Sequence, residues 1–148
     1  METPSGTAVR QLSVFLQNRV GALLALVRLL RDRHIEVLGL SVQDSTEMTL
    51  VRLILSDPDT AGTLFMEKGI PHVSLDVVVV ELREGEHDLT HALAPLVAAE
   101  VNIHFIYPLM ARPRAHPVMV LQCDDGEVGG SVLMAAGFRV LMQEDLSR

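Results

Sequence analysis

The strongest constraint on this chain is an internal repeat, because its two halves align without a gap when the sequence is shifted by 66 positions. Apolar residues coincide with apolar residues over about forty positions, the mark of a duplicated structural unit. The matched pairs include Leu12 with Val78, Val14 with Val80, Leu23 with Leu89, Leu30 with Leu96, Val37 with Ile103 and Leu55 with Leu121. Chance matches are expected in a chain that is 49% hydrophobic, but one common spacing across several elements indicates a true repeat.

Each half predicts the same order of elements. Leu12, Val14 and Leu16 alternate as in a strand, and Leu23, Leu26, Val27 and Leu30 have the spacing of a helix packed by one face. In the first half we predict strands at 9–16, 35–42, 48–55 and 73–80, with the second helix running from Pro58 to about Lys68. In the second half we predict helices at 88–99 and 127–136 and strands at 103–108, 117–121 and 138–143.

The fold class that follows is α+β, with two tandem ferredoxin-like βαββαβ modules at residues 8–75 and 76–146, each an antiparallel sheet packed by helices. Two complete modules need eight strands, and the sequence supplies seven. Either the segment 71–82 serves both modules, which places their boundary inside one long strand, or the C-terminal strand crosses back to the first module. Pro95 lies inside a predicted helix and is expected to kink or shorten it.

Composition excludes several classes of function. The net charge of −7 disfavours nucleic-acid binding, which needs clustered Lys and Arg to neutralise phosphates. No apolar run reaches the roughly 18 residues of a membrane span, and residues 1–7 do not read as a secretion signal. Cys123 is the single cysteine, so no internal disulfide is expected. We therefore expect a cytoplasmic protein with neither nucleic-acid nor membrane partners.

The candidate binding site is the loop between the first strand and the first helix, residues 16–23. A helix start offers unpaired N–H groups and the positive end of the helix dipole, which suit a carboxylate. Gly21 permits close approach of a ligand to the backbone, and the Asn18 amide can bind or cap. The same residues also fit an ordinary helix entry with an Asn cap and a Gly turn.

The stretch from Gln11 to Leu23 resembles the opening of an ACT domain, whose signature is a strand, then Asn/Asp-x-x-Gly-x-Leu, then a helix. The resemblance extends to the second strand at 35–38 and, with the duplication, covers nearly the whole chain. It is nearest to stand-alone tandem ACT proteins and looser to the regulatory small subunit of acetolactate synthase. The resemblance implies an amino-acid-binding regulatory protein without catalysis or cofactor. The implied effector-loop residues are Asn18, Arg19, Val20, Gly21, Ala22 and Leu23.

The resemblance also implies that modules pair side by side, so a homodimer is expected and a biosynthetic enzyme is a candidate partner. The sequence departs from the ACT signature in two places. Val20 replaces the usual Pro, and in the second copy His87 aligns with Gly21 and Glu84 with Asn18. Glu84, Glu86 and Asp88 repel a ligand carboxylate, so the first loop is predicted to bind and the second to be structural.

Other chemistries have weaker support. His87 and His91 are four residues apart, which suits two ligands of one metal, but the sequence places no third, so they read as surface histidines. No base is placed near Cys123, and the glycines at 126, 129 and 130 lack the Lys of a phosphate loop. The turn 112–117 reads as a basic hairpin tip or a partner contact. Two alternatives remain: a regulatory subunit of a biosynthetic enzyme such as acetolactate synthase, and a small enzyme on this scaffold.

Overall fold

The computed structural model describes residues 6–147, which form two compact units. The first consists of Arg10–Leu75 with Ser147, and we call it the N-terminal module. The second, the C-terminal module, consists of Asp76–Leu146 with residues 6–9. The predicted module bounds, residues 8–75 and 76–146, stay a prediction.

The N-terminal module contains β1 (Val9–Gln17), α1 (Ala22–Asp32), β2 (Val37–Asp44), β3 (Met48–Leu55), α2 (Pro58–Glu67) and the beginning of β4 (His72–Glu81). β3 pairs antiparallel with both β1 and β2, and the strand order is β2-β3-β1-β4. The predicted inner face of α1 is confirmed, since Leu26 and Leu30 are buried and pack with Leu12, Val14 and Phe65 in one core.

The C-terminal module contains the end of β4, then α3 (Leu89–Ala98), β5 (Ile103–Pro108), β6 (Val118–Cys123), α4 (Gly126–Ala135), β7 (Val140–Leu141) and α5 (Gln143–Leu146). β6 pairs antiparallel with β4 and β5, and β7 pairs with β4, in the order β7-β4-β6-β5. Its core holds Val78, Val80, Leu96, Leu121 and Leu133.

Both strand orders are those of a ferredoxin-like βαββαβ unit, so the predicted fold class is confirmed. Seven strands suffice for two modules because β4 is both the last strand of the N-terminal module and the first strand of the C-terminal module. β7 lies opposite Val79 and Val80 of β4, within the C-terminal module. The alternative in which the C-terminal strand completes the first module is therefore wrong.

The end of the chain differs from the prediction of a strand at 138–143, because β7 has only two residues and a short helix follows. The Met142 N–H donates to the Asp145 carboxylate at 2.7 Å, and the Gln143 N–H donates to the Thr7 carbonyl at 2.8 Å. These bonds take both amides out of the β ladder, which ends the strand.

Pro95 does not shorten α3, which continues through it to Ala98. The proline removes the hydrogen bond to the carbonyl of His91, and His91 is exposed, so water can satisfy that carbonyl. Of the helices in the described part of the chain, none is long and apolar enough to cross a membrane.

Three helices begin at an aspartate that caps them. Asp57 accepts from the Thr60 N–H at 3.1 Å and from the Thr60 hydroxyl at 2.6 Å. Asp88 and Asp125 accept in the same way from the N–H groups of His91 and Val128, each at 3.1 Å. Each cap satisfies one amide of the first helical turn.

The Asp57 cap predicts a stability that depends on pH. The hydrogen bonds from the Thr60 side chain and backbone lower the pKa of Asp57 below its ordinary value. A carboxylate with a lowered pKa stabilises the fold above its unfolded-state pKa, and that stabilisation disappears as the pH falls through the folded-state pKa. Asp57→Ala should therefore cost about 1 kcal/mol of unfolding free energy at pH 7 and less in acid.

Urea unfolding at pH 7 and pH 3 measures this difference, with Asp57→Asn as the control. Asparagine caps about as well as aspartate but does not titrate, so this variant should match the wild type at pH 7. An Asp57→Ala cost that is equal at the two pH values would contradict the role assigned to the carboxylate.

Candidate functional site

The β1–α1 loop is a tight turn that depends on Gly21. The Arg19 N–H donates to the Gln17 carbonyl at 2.9 Å, and the Ala22 N–H donates to the Arg19 carbonyl at 3.3 Å. Gly21 then adopts φ +86°, in the left-handed region, and is the N-cap of α1. A side chain is strained in this conformation, whereas glycine adopts it readily. The N-cap position of α1 is therefore held by a residue that has no side chain with which to cap the helix.

Two amides in the first turn of α1, those of Leu23 and Leu24, have no acceptor among the described residues. Asn18 does not cap the helix; its amide nitrogen donates to the Ser45 carbonyl at 3.3 Å, in the β2–β3 turn. Among the described residues none accepts a hydrogen bond from the N–H groups of Leu23 or Leu24. The first turn of α1 also carries no acidic residue. The interpretation of Asn18 as a cap is therefore wrong, and the positive end of the α1 dipole stays uncompensated.

A cavity of about 520 Å³ lies in the N-terminal module beside this loop. Its walls come from β1, the loop, the first two turns of α1, the start of β3 and the α2–β4 connection. The lining residues are Phe15, Leu16, Gln17, Arg19, Ala22, Ala25, Leu26, Leu29, Met48, Gly69, Ile70 and Pro71. Apart from Gln17 and Arg19, these residues have apolar side chains or none. The cavity thus combines an apolar wall with a cation at the helix start, in the size range of small-molecule sites.

The sequence of residues 7–148 matches the family model described as an ACT domain pair. The chain belongs to this family. ACT domains are regulatory modules, and pairs of them are typical of amino-acid-binding regulatory proteins. Comparison with curated proteins gives no significant match.

Solved structures share the fold of this ACT pair. A protein from Bacteroides thetaiotaomicron superposes with a TM-score of 0.87 at 24% identity, over 98% of this chain and 99% of that chain. The ligand-free regulatory subunit of aspartate kinase from Thermus thermophilus has a TM-score of 0.60 at 12% identity, over 87% and 92% of the two chains. The Thermus flavus regulatory subunit has a TM-score of 0.56 at 13% identity, over 92% and 99%.

The six residues implied for the ACT effector loop have different positions in the structure. Arg19 and Ala22 line the cavity, and Gly21 sets the turn. Leu23 is half-buried against the core of the module, and Val20 is fully exposed. Asn18 anchors the loop to the β2–β3 turn.

Sequence reasoning missed the cavity walls that come from elsewhere in the chain. Gly69, Ile70 and Pro71 follow α2, and Met48 begins β3. The Phe15 N–H donates to the Pro71 carbonyl at 3.0 Å, which holds the α2–β4 connection beside β1. No motif marks these residues, because only the pairing of the strands brings them to the loop.

The corresponding loop of the C-terminal module is occupied by its own side chains. Asp88 caps α3, and the Arg83 N–H donates to the His87 carbonyl at 2.8 Å. The His87 ring packs edge-on against Phe138, with centroids 4.9 Å apart. The helix amide that is free in the first copy is therefore satisfied within the second.

Metal binding and cysteine chemistry were the other candidates. No group of three or more His, Cys, Asp or Glu side chains within residues 6–147 lies close enough to hold a metal. His91 is paired with Asp88 through a contact of 2.6 Å. Burial and, to a smaller extent, the Asp124 charge raise the pKa of the Cys123 thiol, which disfavours the thiolate needed for nucleophilic attack.

The difference in capping predicts a difference in amide exchange. Leu24 in α1 occupies the same helical position as Thr60, His91 and Val128, but it alone of the four lacks a carboxylate acceptor. A hydrogen bond that contributes about 1 kcal/mol net slows the exchange of its amide roughly fivefold. The Leu24 amide should therefore exchange at least about fivefold faster, relative to its intrinsic rate, than the three capped amides. Equal protection of all four in NMR hydrogen exchange would contradict a free α1 start.

Proposed function

We propose that this ACT pair is an amino-acid-binding regulatory protein whose effector occupies the β1–α1 loop and the adjoining cavity of the N-terminal module. The single observation that carries the proposal is the uncapped start of α1 next to an apolar cavity. A free amino acid supplies both missing components, a carboxylate for the amides and a side chain for the cavity.

The carboxylate has three sources of stabilisation at this end of the cavity. The N–H groups of Leu23 and Leu24 have no acceptor in the described part of the chain, and the helix dipole adds partial positive charge. Arg19 lines the cavity and contributes a guanidinium group, which suits bidentate binding of a carboxylate. The absence of a Cβ at Gly21 leaves the backbone open to the ligand, since among the described residues no heavy atom beyond its two chain neighbours lies within 4 Å of the position that a Cβ would take.

The C-terminal module has the same fold but does not offer these donors. Asp88 already accepts from the start of α3, and Glu84 and Glu86 place further negative charge in the loop. A second carboxylate is repelled there. The asymmetry supports one effector loop per chain, with the second loop in a structural role.

An effector bound to this chain can regulate an enzyme or another process only if the chain associates with a partner. We propose a homodimer in the cytoplasm, supported by the exposed apolar side chains of Val20 and Leu24 at the start of α1, which are 102% and 52% exposed. A second candidate is the regulatory subunit of a separate biosynthetic enzyme, such as acetolactate synthase. The fold shared with the aspartate kinase regulatory subunits supports it.

Substitution of two matched glycines tests the effector site. Gly21 and Gly85 have φ of +86° and +87°, and an added Cβ at either position meets no atom of a described residue within 4 Å apart from its chain neighbours. Valine should strain both backbones to a similar extent, so the strain alone cannot distinguish the variants. Gly21→Val should abolish effector binding, whereas Gly85→Val should preserve it.

A thermal-shift screen of the twenty amino acids provides the measurement. A ligand at a hundredfold excess over Kd stabilises by about 2.7 kcal/mol, which raises Tm by about 5–10 °C in a chain of this length. Equal loss in both variants would contradict the assignment to the first loop. If no amino acid shifts the wild type, the proposal fails, and recovery of a catalytic subunit in a pulldown then favours the second candidate.

A further inference from the structure

We infer that the effector of this site is an amino acid with an uncharged aliphatic or thioether side chain. The inference rests on the proposed function and concerns the part of the cavity that receives the side chain. It follows from the charge, the polarity and the burial of the cavity walls.

The cavity offers no partner for a charged side chain. None of the described residues that line it is acidic, so the ammonium or guanidinium group of a basic effector would be buried without a counter-charge. Arg19 is the charged lining residue, and the proposed function assigns it to the α-carboxylate. A second carboxylate in the ligand would therefore also lack a partner. Burial of an unpaired charge is costly, which disfavours acidic and basic amino acids.

The polar groups lie at one end of the cavity. Gln17 and Arg19 are both exposed and belong to the loop side, where Gln17 offers an acceptor for the α-ammonium group. The wall farther along α1 consists of Ala25, Leu26 and Leu29, which carry no side-chain hydrogen-bonding group. A hydroxyl or amide on the ligand side chain would lose its hydrogen bonds to water at that wall.

The apolar walls have surface left for a ligand to cover. Leu16, Leu29 and Ile70 are each half-buried although they border an apolar cavity. Covering them removes hydrocarbon from water on both sides of the contact, at about 25 cal/mol per Å². Affinity should therefore increase with the hydrocarbon content of the ligand until the cavity is filled.

Calorimetric titration with a homologous series tests this inference. In the order alanine, 2-aminobutyrate, norvaline and norleucine, each methylene should lower Kd about fourfold. Lysine, glutamate and glutamine should bind at least about tenfold more weakly than norleucine, because their polar ends find no partner.

The outcomes separate this inference from the proposed function. If lysine, glutamate or glutamine binds as tightly as norleucine, the side-chain class is wrong while the effector site stands. If the series binds with no dependence on chain length, the inference also fails. Absence of binding by every amino acid overturns the proposed function and this inference with it.

A cavity-filling variant locates the side chain. Ala25 is exposed and lines the cavity, so Ala25→Leu should fill space there without disturbing the core. Norleucine should bind at least about tenfold more weakly to this variant, and alanine less than about threefold. Arg28→Leu adds a leucine to an exposed position of α1 outside the cavity lining and should change neither Kd. Unchanged norleucine binding by Ala25→Leu would overturn the placement.

Discussion

The pairing of β4 is the interaction on which both modules depend. Its first residues lie beside β1 of the N-terminal module, and its last residues, Val78 to Glu81, pair with β6 and β7 of the C-terminal module. A ferredoxin-like unit needs a fourth strand next to its first, and one ten-residue strand meets this need at the end of one unit and the beginning of the next. The duplicated fold therefore needs only seven strands. A substitution within residues 71–82 affects the strand pairing of both modules.

The same duplication allowed the two helix-entry loops to diverge. Every helix start has amides that need an acceptor, supplied either by the chain or by something outside it. In the C-terminal module Asp88 supplies the acceptor. In the N-terminal module Gly21 has no side chain and Asn18 is engaged with Ser45, so the acceptor must be water or a ligand. The fold is common to both modules, while the proposed effector site lies in one.

Much of the fold could be predicted because the repeat aligns buried positions in both halves. The inner face of α1 follows from its helical periodicity, whereas the sequence left open whether residues 71–82 serve both modules or the C-terminal strand crosses back to the first. The end of the chain could not be predicted in this way, because β7 is ended by hydrogen bonds from Met142 to Asp145 and from Gln143 to Thr7. The second of these joins residues at opposite ends of the sequence.

The candidate site was predictable only in part, because it too depends on contacts between segments that are distant in sequence. The loop motif identifies Arg19, Gly21 and Ala22 at the helix start. The direction of the Asn18 side chain depends on a turn 27 residues away, at Ser45, and the wall formed by Ile70 and Pro71 depends on strand pairing. A contact between segments distant in sequence leaves no periodic signal in either segment.

The most direct test is a crystal structure of the protein with norleucine or methionine bound. The account predicts the carboxylate within hydrogen-bonding distance of the Leu23 and Leu24 amides, with the side chain against Leu26 and Leu29. A ligand seated at the loop of residues 83–88, or in the first loop with its carboxylate directed away from the start of α1, would contradict it.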